Sequence, residues 1–222
     1  MKHIFSLLPF FLLFLCSCEQ ETYDTGNSSY SRMTAEFADA HVRDDKLVDY
    51  VLTDDGDSLI MERPFGIGWI EKADTTYRML LYYGREDNKI EAMAAAPVLV
   101  TPPMERDRFK KGIISDPVIM RSLWMSKNGK YINLHLQVMT GRSGEEKENV
   151  QVFGCVRDTL LTAEDGSQVQ GLCLHHEQNG QPEYYSREVF LSISMKSIQT
   201  DRVVIRLNTY DGWREKTFSI VR

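Results

Sequence analysis

Cys173, His175 and His176 stand nearly side by side in the second half of the chain. Thiolate and imidazole are the donors zinc favours, four at a time in a tetrahedral array. Cys173 and His175, two positions apart, share one face of any strand that carries them, and Cys155 is the third ligand available. A fourth is wanting, so neither a metal nor another cofactor is expected. Cys155 and Cys173 also suit a second chemistry. The Asp165-Gly166 turn lies between them and their midpoint is Glu164, so a hairpin turning there sets them opposite each other, within reach of a disulfide. An envelope compartment permits that bond. Two buried free thiols are the alternative, in an anaerobic envelope that does not oxidise them.

Hydrolytic chemistry finds less support. Gly141-Arg142-Ser143-Gly144 lacks the G-x-S-x-G elbow that activates a serine and lies in a polar loop. The acidic pairs Asp54-Asp55 and Glu145-Glu146 fall in turn-like segments, where solvation accounts for them, whereas glycoside cleavage needs carboxylates converging across a cleft. No phosphate-binding loop, dinucleotide fingerprint or H-E-x-x-H occurs. An enzyme is therefore not expected. The aromatic residues are the better lead. Trp69, Tyr82 and Tyr83, with Phe65, fall in the first half, and coplanar exposed rings of this kind stack on sugars or bases. The plainer alternative is that they complete a small core. Tyr184-Tyr185, Tyr210 and Trp213 pose the same choice. His135 alternates with apolar neighbours and is read as a solvent-facing strand residue.

The elements that carry these residues are strands. Leu47 to Thr53 is rich in Val, Leu and Tyr, and Asp55-Gly56 turns it into Ser58 to Met61. Arg78 to Tyr83 is a further apolar and aromatic run. Ile132, Leu134, Leu136 and Val138 alternate with Asn133, His135 and Gln137, the period of a strand with one buried face. Val189 to Met195 and Val203 to Leu207 repeat the pattern. Asn128-Gly129, Asp165-Gly166, Asn179-Gly180 and Asp211-Gly212 supply tight hairpin turns between them. Lys89 to Ala96 (KIEAMAAA) reads as a helix or as a buried strand. The expectation is an all-β chain of antiparallel sheets. Pro102-Pro103 and the charged run Glu105 to Lys111 mark a connector between one domain at 33–104 and another at 112–222.

The N-terminus indicates where such a chain works. Lys2 precedes an apolar segment, Ile4 to Leu15, shorter than the roughly 20 residues a membrane span needs. Leu15-Cys16-Ser17-Cys18 then gives a branched apolar residue and small residues before a cysteine, the pattern at which lipid is attached to the thiol and the leader removed. Residues 1–17 are expected to be a signal peptide and Cys18 the lipidated N-terminus, with Cys16 the poorer fit and an ordinary secretory signal the alternative. Residues 18–32, polar and rich in Ser, Gly and Asn, form a tether. Acidic residues directly after Cys18 are either a solvated linker or an export signal toward the outer face of the outer membrane. The full chain has a formal charge of −6, and cleavage removes Lys2 and no acidic residue. Such a surface repels nucleic-acid phosphates, so the expected partners are the membrane, through lipid, and a protein or peptide.

Several segments, in order, resemble the NigD-like lipoproteins of Gram-negative anaerobes. Leu52-Thr53-Asp54-Asp55-Gly56 is similar to the DDG hairpin of their first domain. Ser115-Asp116-Pro117-Val118 opens the second, and Trp124 with Tyr131 to Val138 (YINLHLQV) resembles their W…YLNLQF strand. His175 to Pro182 (HHEQNGQP) resembles an HNANNDP hairpin, from which Cys173 beside it and Glu177-Gln178 within it depart, and Ile205 to Gly212 (IRLNTYDG) resembles the terminal RVNTYDG turn. The resemblance implies an N-terminal OB-like barrel followed by a C-terminal β-sandwich, and a link to bacteriocin loci, where immunity is the role proposed for the founding member. Two functions follow as expectations. One is a non-enzymatic, lipid-anchored binding protein of the cell envelope, of the bacteriocin-immunity kind. The other is a surface glycan-binding module that uses Trp69, Tyr82 and Tyr83.

Overall fold

The computed structural model describes residues 33–86, 89–142 and 150–220. The leader, Cys16, Cys18, the tether, Ser143 and Glu145-Glu146 lie outside them. All regular structure among the described residues is strand, apart from one 3-10 turn at Arg106–Arg108.

Five strands close a barrel: β1 (Thr34–Val42), β2 (Val48–Thr53), β3 (Ser58–Phe65), β4 (Thr75–Glu86) and β5 (Lys89–Pro97), in the order β1-β2-β3-β5-β4. This is the OB-like arrangement. Alternation fills it: Met79, Leu81 and Tyr83 of β4 and Ala38, Ala40 and Val42 of β1 point inward. The ambiguous KIEAMAAA segment is strand β5. It pairs antiparallel with β4 along nearly its whole length, and closure of the barrel outweighs the helix propensity of its alanines. Gly56, at φ +94°, makes the tight turn from β2 to β3 that a side chain would strain.

Nine strands build two facing sheets. One has the order β14-β13-β11-β10-β7 and the other β6-β12-β9-β8, where β6 is Leu99–Thr101, β7 Pro103–Met104, β8 Ile119–Met125, β9 Tyr131–Thr140, β10 Val152–Thr162, β11 Gln168–Glu177, β12 Tyr185–Ser194, β13 Arg202–Thr209 and β14 Gly212–Ser219. Ile132, Leu134, Leu136 and Val138 face Leu172, Ile205 and their neighbours in one core, as the alternation required.

The structure differs from the sequence reading in two respects. Strands β6 and β7, assigned to the first domain on sequence, pair instead with β12 and β10, so the sandwich begins at Leu99 and the boundary at 104–112 is moved back. Pro102 lets the chain step from one sheet to the other, and Pro103, with no N–H, is tolerated because β7 is an edge strand. Those two pairs and β11–β13 are parallel, so the sandwich is mixed.

The second correction concerns the cysteines. Cys155 opposes Leu174 and Cys173 opposes Val156. Neighbouring residues on a strand face opposite ways, so Cys155 enters the sandwich core and Cys173 points out of the other face. Both thiols are free, and the disulfide reading is overturned. The hairpin turns about Asp165-Gly166, one residue later than the midpoint of the two cysteines, and a bulge between Arg157 and Leu160 shifts the register again. Gln170 stabilises that bulge, its amide donating to the carbonyls of Asp158 and Thr159 at 3.2 and 3.4 Å.

Candidate functional site

Cys155, Cys173 and His175 do not converge, because Cys155 lies on the far side of its sheet. Burial pushes both thiols up, which keeps them protonated and poorly nucleophilic. His175 is a packing residue. Its ring lies 4.7 Å from that of Phe109, and its Nδ1 accepts the Ile114 N–H at 3.1 Å. His176 is enclosed between the Asp116 carbonyl and the Gln151 amide, each 3.0 Å from a ring nitrogen. Among the described residues no group of three or more metal-binding side chains comes together.

Burial lowers the affinity of His175 for a proton below the ordinary 6.5. The neutral ring is also the form that accepts from Ile114. The stability this confers is complete above the unfolded value and is lost as pH falls from there through the lower folded value, because the unfolded chain takes up the proton first. Urea denaturation should show a lower midpoint at about pH 5 than at about pH 7.5. His175→Asn keeps an acceptor near Nδ1 and does not titrate, so it should shrink that difference; an equal difference in the variant would assign the effect elsewhere.

The aromatic residues are also dispersed. Tyr82 and Tyr83 are adjacent on β4 and point to opposite faces. Tyr83 is buried in the barrel, where its hydroxyl meets Glu36 at 3.2 Å, and burial raises its pKa to about 12. Trp69 packs edge-on against Tyr77 at 5.9 Å, beside the barrel core. The three rings share no plane, so the platform expected of them is not formed. Tyr184, Tyr185, Tyr210 and Trp213 stay exposed at the sandwich surface, with Arg206 over the Trp213 ring at 4.9 Å.

What the fold does bring together lies between the domains. Strand alternation sends Arg78, Leu80 and Tyr82 outward from β4 and Phe37 and Asp39 outward from β1. The outer face of the four-stranded sheet meets them. Trp124, Asn133 and Ser192 stand in register across β8, β9 and β12, with His135 opposite Phe190 in the next outward-facing pair. His135 is therefore half-buried against the barrel, and the polar face of β9, expected to meet solvent, is an interface.

Arg78 is the centre of that interface, its side chain only 2% exposed. Its Nη2 donates to both oxygens of Asp54, at 2.7 and 2.8 Å, and to Asn133 Oδ1 at 3.2 Å, while its Nε donates to Ser192 Oγ at 3.2 Å. The guanidinium lies 4.1 Å from the centre of the Tyr131 ring and 5.5 Å from that of Phe37, and Asp39 approaches at 3.3 Å. Asn133 returns a bond to Asp54 at 2.6 Å. Burial pushes the Asp54 carboxyl up, against the pull of Arg78 and Asn133. Asp55, beside it, takes Lys127 at 2.5 Å on the surface. The DDG hairpin is thus the peg by which the barrel holds the sandwich.

Beside this peg a cleft of about 410 Å³ opens between the domains. Phe37, Leu80 and Tyr82 form its barrel wall, and Trp124, His135 and Phe190 its sandwich wall. The rings interlock, Phe37 lying 5.2 Å from Trp124 and 5.9 Å from Phe190, the latter edge-on. Glu36, Asp54, Asp55 and Glu188 rim it. Sequence reasoning passed over Arg78, Asn133, Ser192 and this cleft. The available signal was two-sidedness. Strand β4 has Met79 and Leu81 on one face and Leu80 and Tyr82 on the other, and a strand apolar on both faces is covered on both.

Fold and site together define a two-domain, all-β protein in which an OB-like barrel is pinned against a β-sandwich, with an aromatic cleft along the joint. The chain belongs to the NigD-like family: the model for the NigD-like C-terminal beta sandwich domain matches residues 100–220, more than half of it. The match starts where the structure places the sandwich. No functionally curated protein matches the sequence. Among solved structures, the chain is similar to a NigD-like immunity protein from Bacteroides caccae, at 20% identity and a TM-score of 0.63 over 82% of this chain and 91% of that one. It is similar to a protein of unknown function from Bacteroides vulgatus, at 16% identity and TM-score 0.62 over 86% and 92%. A candidate lipoprotein from Bacteroides fragilis follows at 13% identity and TM-score 0.59, over 85% and 98%. At these identities the likeness is one of fold.

Proposed function

We propose that this protein is a non-catalytic binding protein, held to the outer membrane of the cell envelope by acyl chains on Cys18, that receives a protein or peptide partner in the cleft between its domains. The observation that carries this reading is the cleft itself. Its two walls come from different domains and carry aromatic rings, as peptide-binding surfaces do. Family membership supports a role of the immunity type, and one relative of the same fold bears the name of an immunity protein. The name of another supports the lipid anchor. Glycan capture finds no platform in Trp69, Tyr82 and Tyr83, whose rings diverge.

Deleting the gene and challenging the cells with a bacteriocin of the kind the family resemblance implies, taken from the same locus where one is encoded there, tests the specific role. Sensitivity should rise, and re-expression of the intact protein should restore resistance. Unchanged sensitivity removes immunity.

A further inference from the structure

We propose that residues 105–114 form an acid-released strap: proton uptake by His175 unfastens them from the five-stranded sheet and uncovers the outward face on which Cys173 lies. The strap crosses the side of the sandwich away from the interdomain cleft, so it stands or falls separately from the peptide-binding reading.

The β10–β11 register sets Gly154 opposite His175 and Val156 opposite Cys173, all pointing out of the sheet. The chain from β7 to β8 passes over this face, with Phe109 as its plug. That ring lies 4.7 Å from the His175 ring, and a Cβ on Gly154 would meet it at 3.1 Å, so the missing side chain is the socket. Ion pairs flank the plug: Arg106 with Asp158 at 2.7 Å, Glu105 with Arg157 at 3.2 Å and Lys111 with Glu177 at 2.6 Å. In each pair the strap residue is exposed, and exposed pairs hold weakly. No residue of the strap is fully buried, yet Cys173 beneath it is only 8% exposed, with Arg106 and Ser115 beside the thiol. The cover is therefore real and its fastenings are slight.

His175 is the fastening that can be switched. Its Nδ1 accepts the Ile114 N–H at 3.1 Å, and a protonated Nδ1 is a donor that cannot accept. Of the charges facing the ring, Glu177 on the same face of β11 and Asp116 just past the strap favour the protonated form, while a proton on the neighbouring His176 would oppose it. Gly154, opposite on β10, is uncharged; on β13 the nearest charge in register is Arg206, across from Cys173. Lys111 is the strap's own cation, and Glu177 holds it. Burial outweighs both carboxylates and lowers the proton affinity of the ring below the ordinary 6.5. The strap is therefore fastened at neutral pH and released as pH falls through the lower folded value. The charged ring abandons Ile114, turns toward Glu177 and competes with Lys111 for its carboxylate. Two fastenings go together, and Phe109 loses the ring on which it packs.

The test uses the mature protein and dipyridyl disulfide, which labels thiols in acid as well as at neutral pH. Labelling of each cysteine is read by mass spectrometry of peptides and divided by its rate in the urea-unfolded chain at the same pH. For Cys173 this ratio should rise at least about tenfold between about pH 7.5 and about pH 5. Cys155, enclosed in the sandwich core, should stay unlabelled at both, which separates release of the strap from global unfolding. His175→Asn should hold the Cys173 ratio flat, and Phe109→Ala should raise it already at neutral pH. An unchanged ratio in the parent, a rise that survives in His175→Asn, or labelling of Cys155 in step with Cys173 overturns the proposal. If His175→Asn does not fold, shown by labelling of its Cys155 at neutral pH, titration of the His175 ring by NMR in the parent decides. A midpoint that coincides with the rise in Cys173 labelling supports the strap, and one that does not overturns it.

Discussion

Arg78→Met should remove roughly 3–5 kcal/mol of folding stability, the cost of leaving a buried charge without its partner. Met fills much of the space of the arginine stem, so the loss is electrostatic more than steric. Asp54, only 13% exposed, would lose its bidentate donor, and the Ser192 and Asn133 oxygens would each lose a bond. Because a domain's whole stability is about 5–15 kcal/mol, the change should be plain in urea denaturation near neutral pH. Its dependence on acidity is diagnostic. Burial already raises the Asp54 carboxyl, and in the variant no guanidinium opposes that. A carboxyl whose folded pKa is raised favours the folded state below its unfolded value and loses that advantage as pH rises through the folded one. The deficit of the variant should therefore narrow on acidification. Adding Asp54→Asn should recover a large part of the loss, since the orphaned charge goes with it. A deficit below about 1 kcal/mol, typical of an exposed pair, would show that water screens this joint and that it is not the peg described here.

Cys18→Ser should abolish acylation and, with it, processing of the leader. Each buried methylene of an acyl chain contributes about 0.8 kcal/mol, so two or three long chains make attachment practically permanent, and their loss is all-or-none. Mass spectrometry of the parent should find a mature N-terminus at Cys18 carrying fatty acid, resistant to a high-salt wash of the membranes. The Ser variant should carry none and should retain residues 1–17. Cys16→Ser should behave as the parent. An unacylated mature chain in the parent, or acylation that follows Cys16, would overturn the anchor. Among the described residues no helix is long and apolar enough to cross a membrane.

The proposed lipid anchor and the Arg78 joint stand at opposite ends of what residue order can convey. The leader and the lipidation site are read by enzymes as a linear string, so residue order is enough to propose them. Strand positions are legible for a related reason: the two-residue period of Ile132 to Val138 and the Asp-Gly and Asn-Gly turns are local, and each element's own backbone enforces them. The resemblance added the order of domains. The hairpin register is not local in this sense. A bulge near Arg157 reversed the face on which one cysteine lies, and no pattern in the intervening residues announced it.

Residue order by itself determined that this chain alternates and turns, and it is the sole ground on which a leader is proposed. Only the tertiary structure decided what covers the second face of each strand. Asn133 and His135 look like solvent-facing residues because alternation records that a strand has two unlike sides, and it is silent on whether water or another domain meets the polar one. Arg78 and Asp54 are 24 positions apart and Arg78 and Ser192 are 114 apart; their bonds exist because two sheets dock, a contact set by shape and charge over a surface that no local window contains.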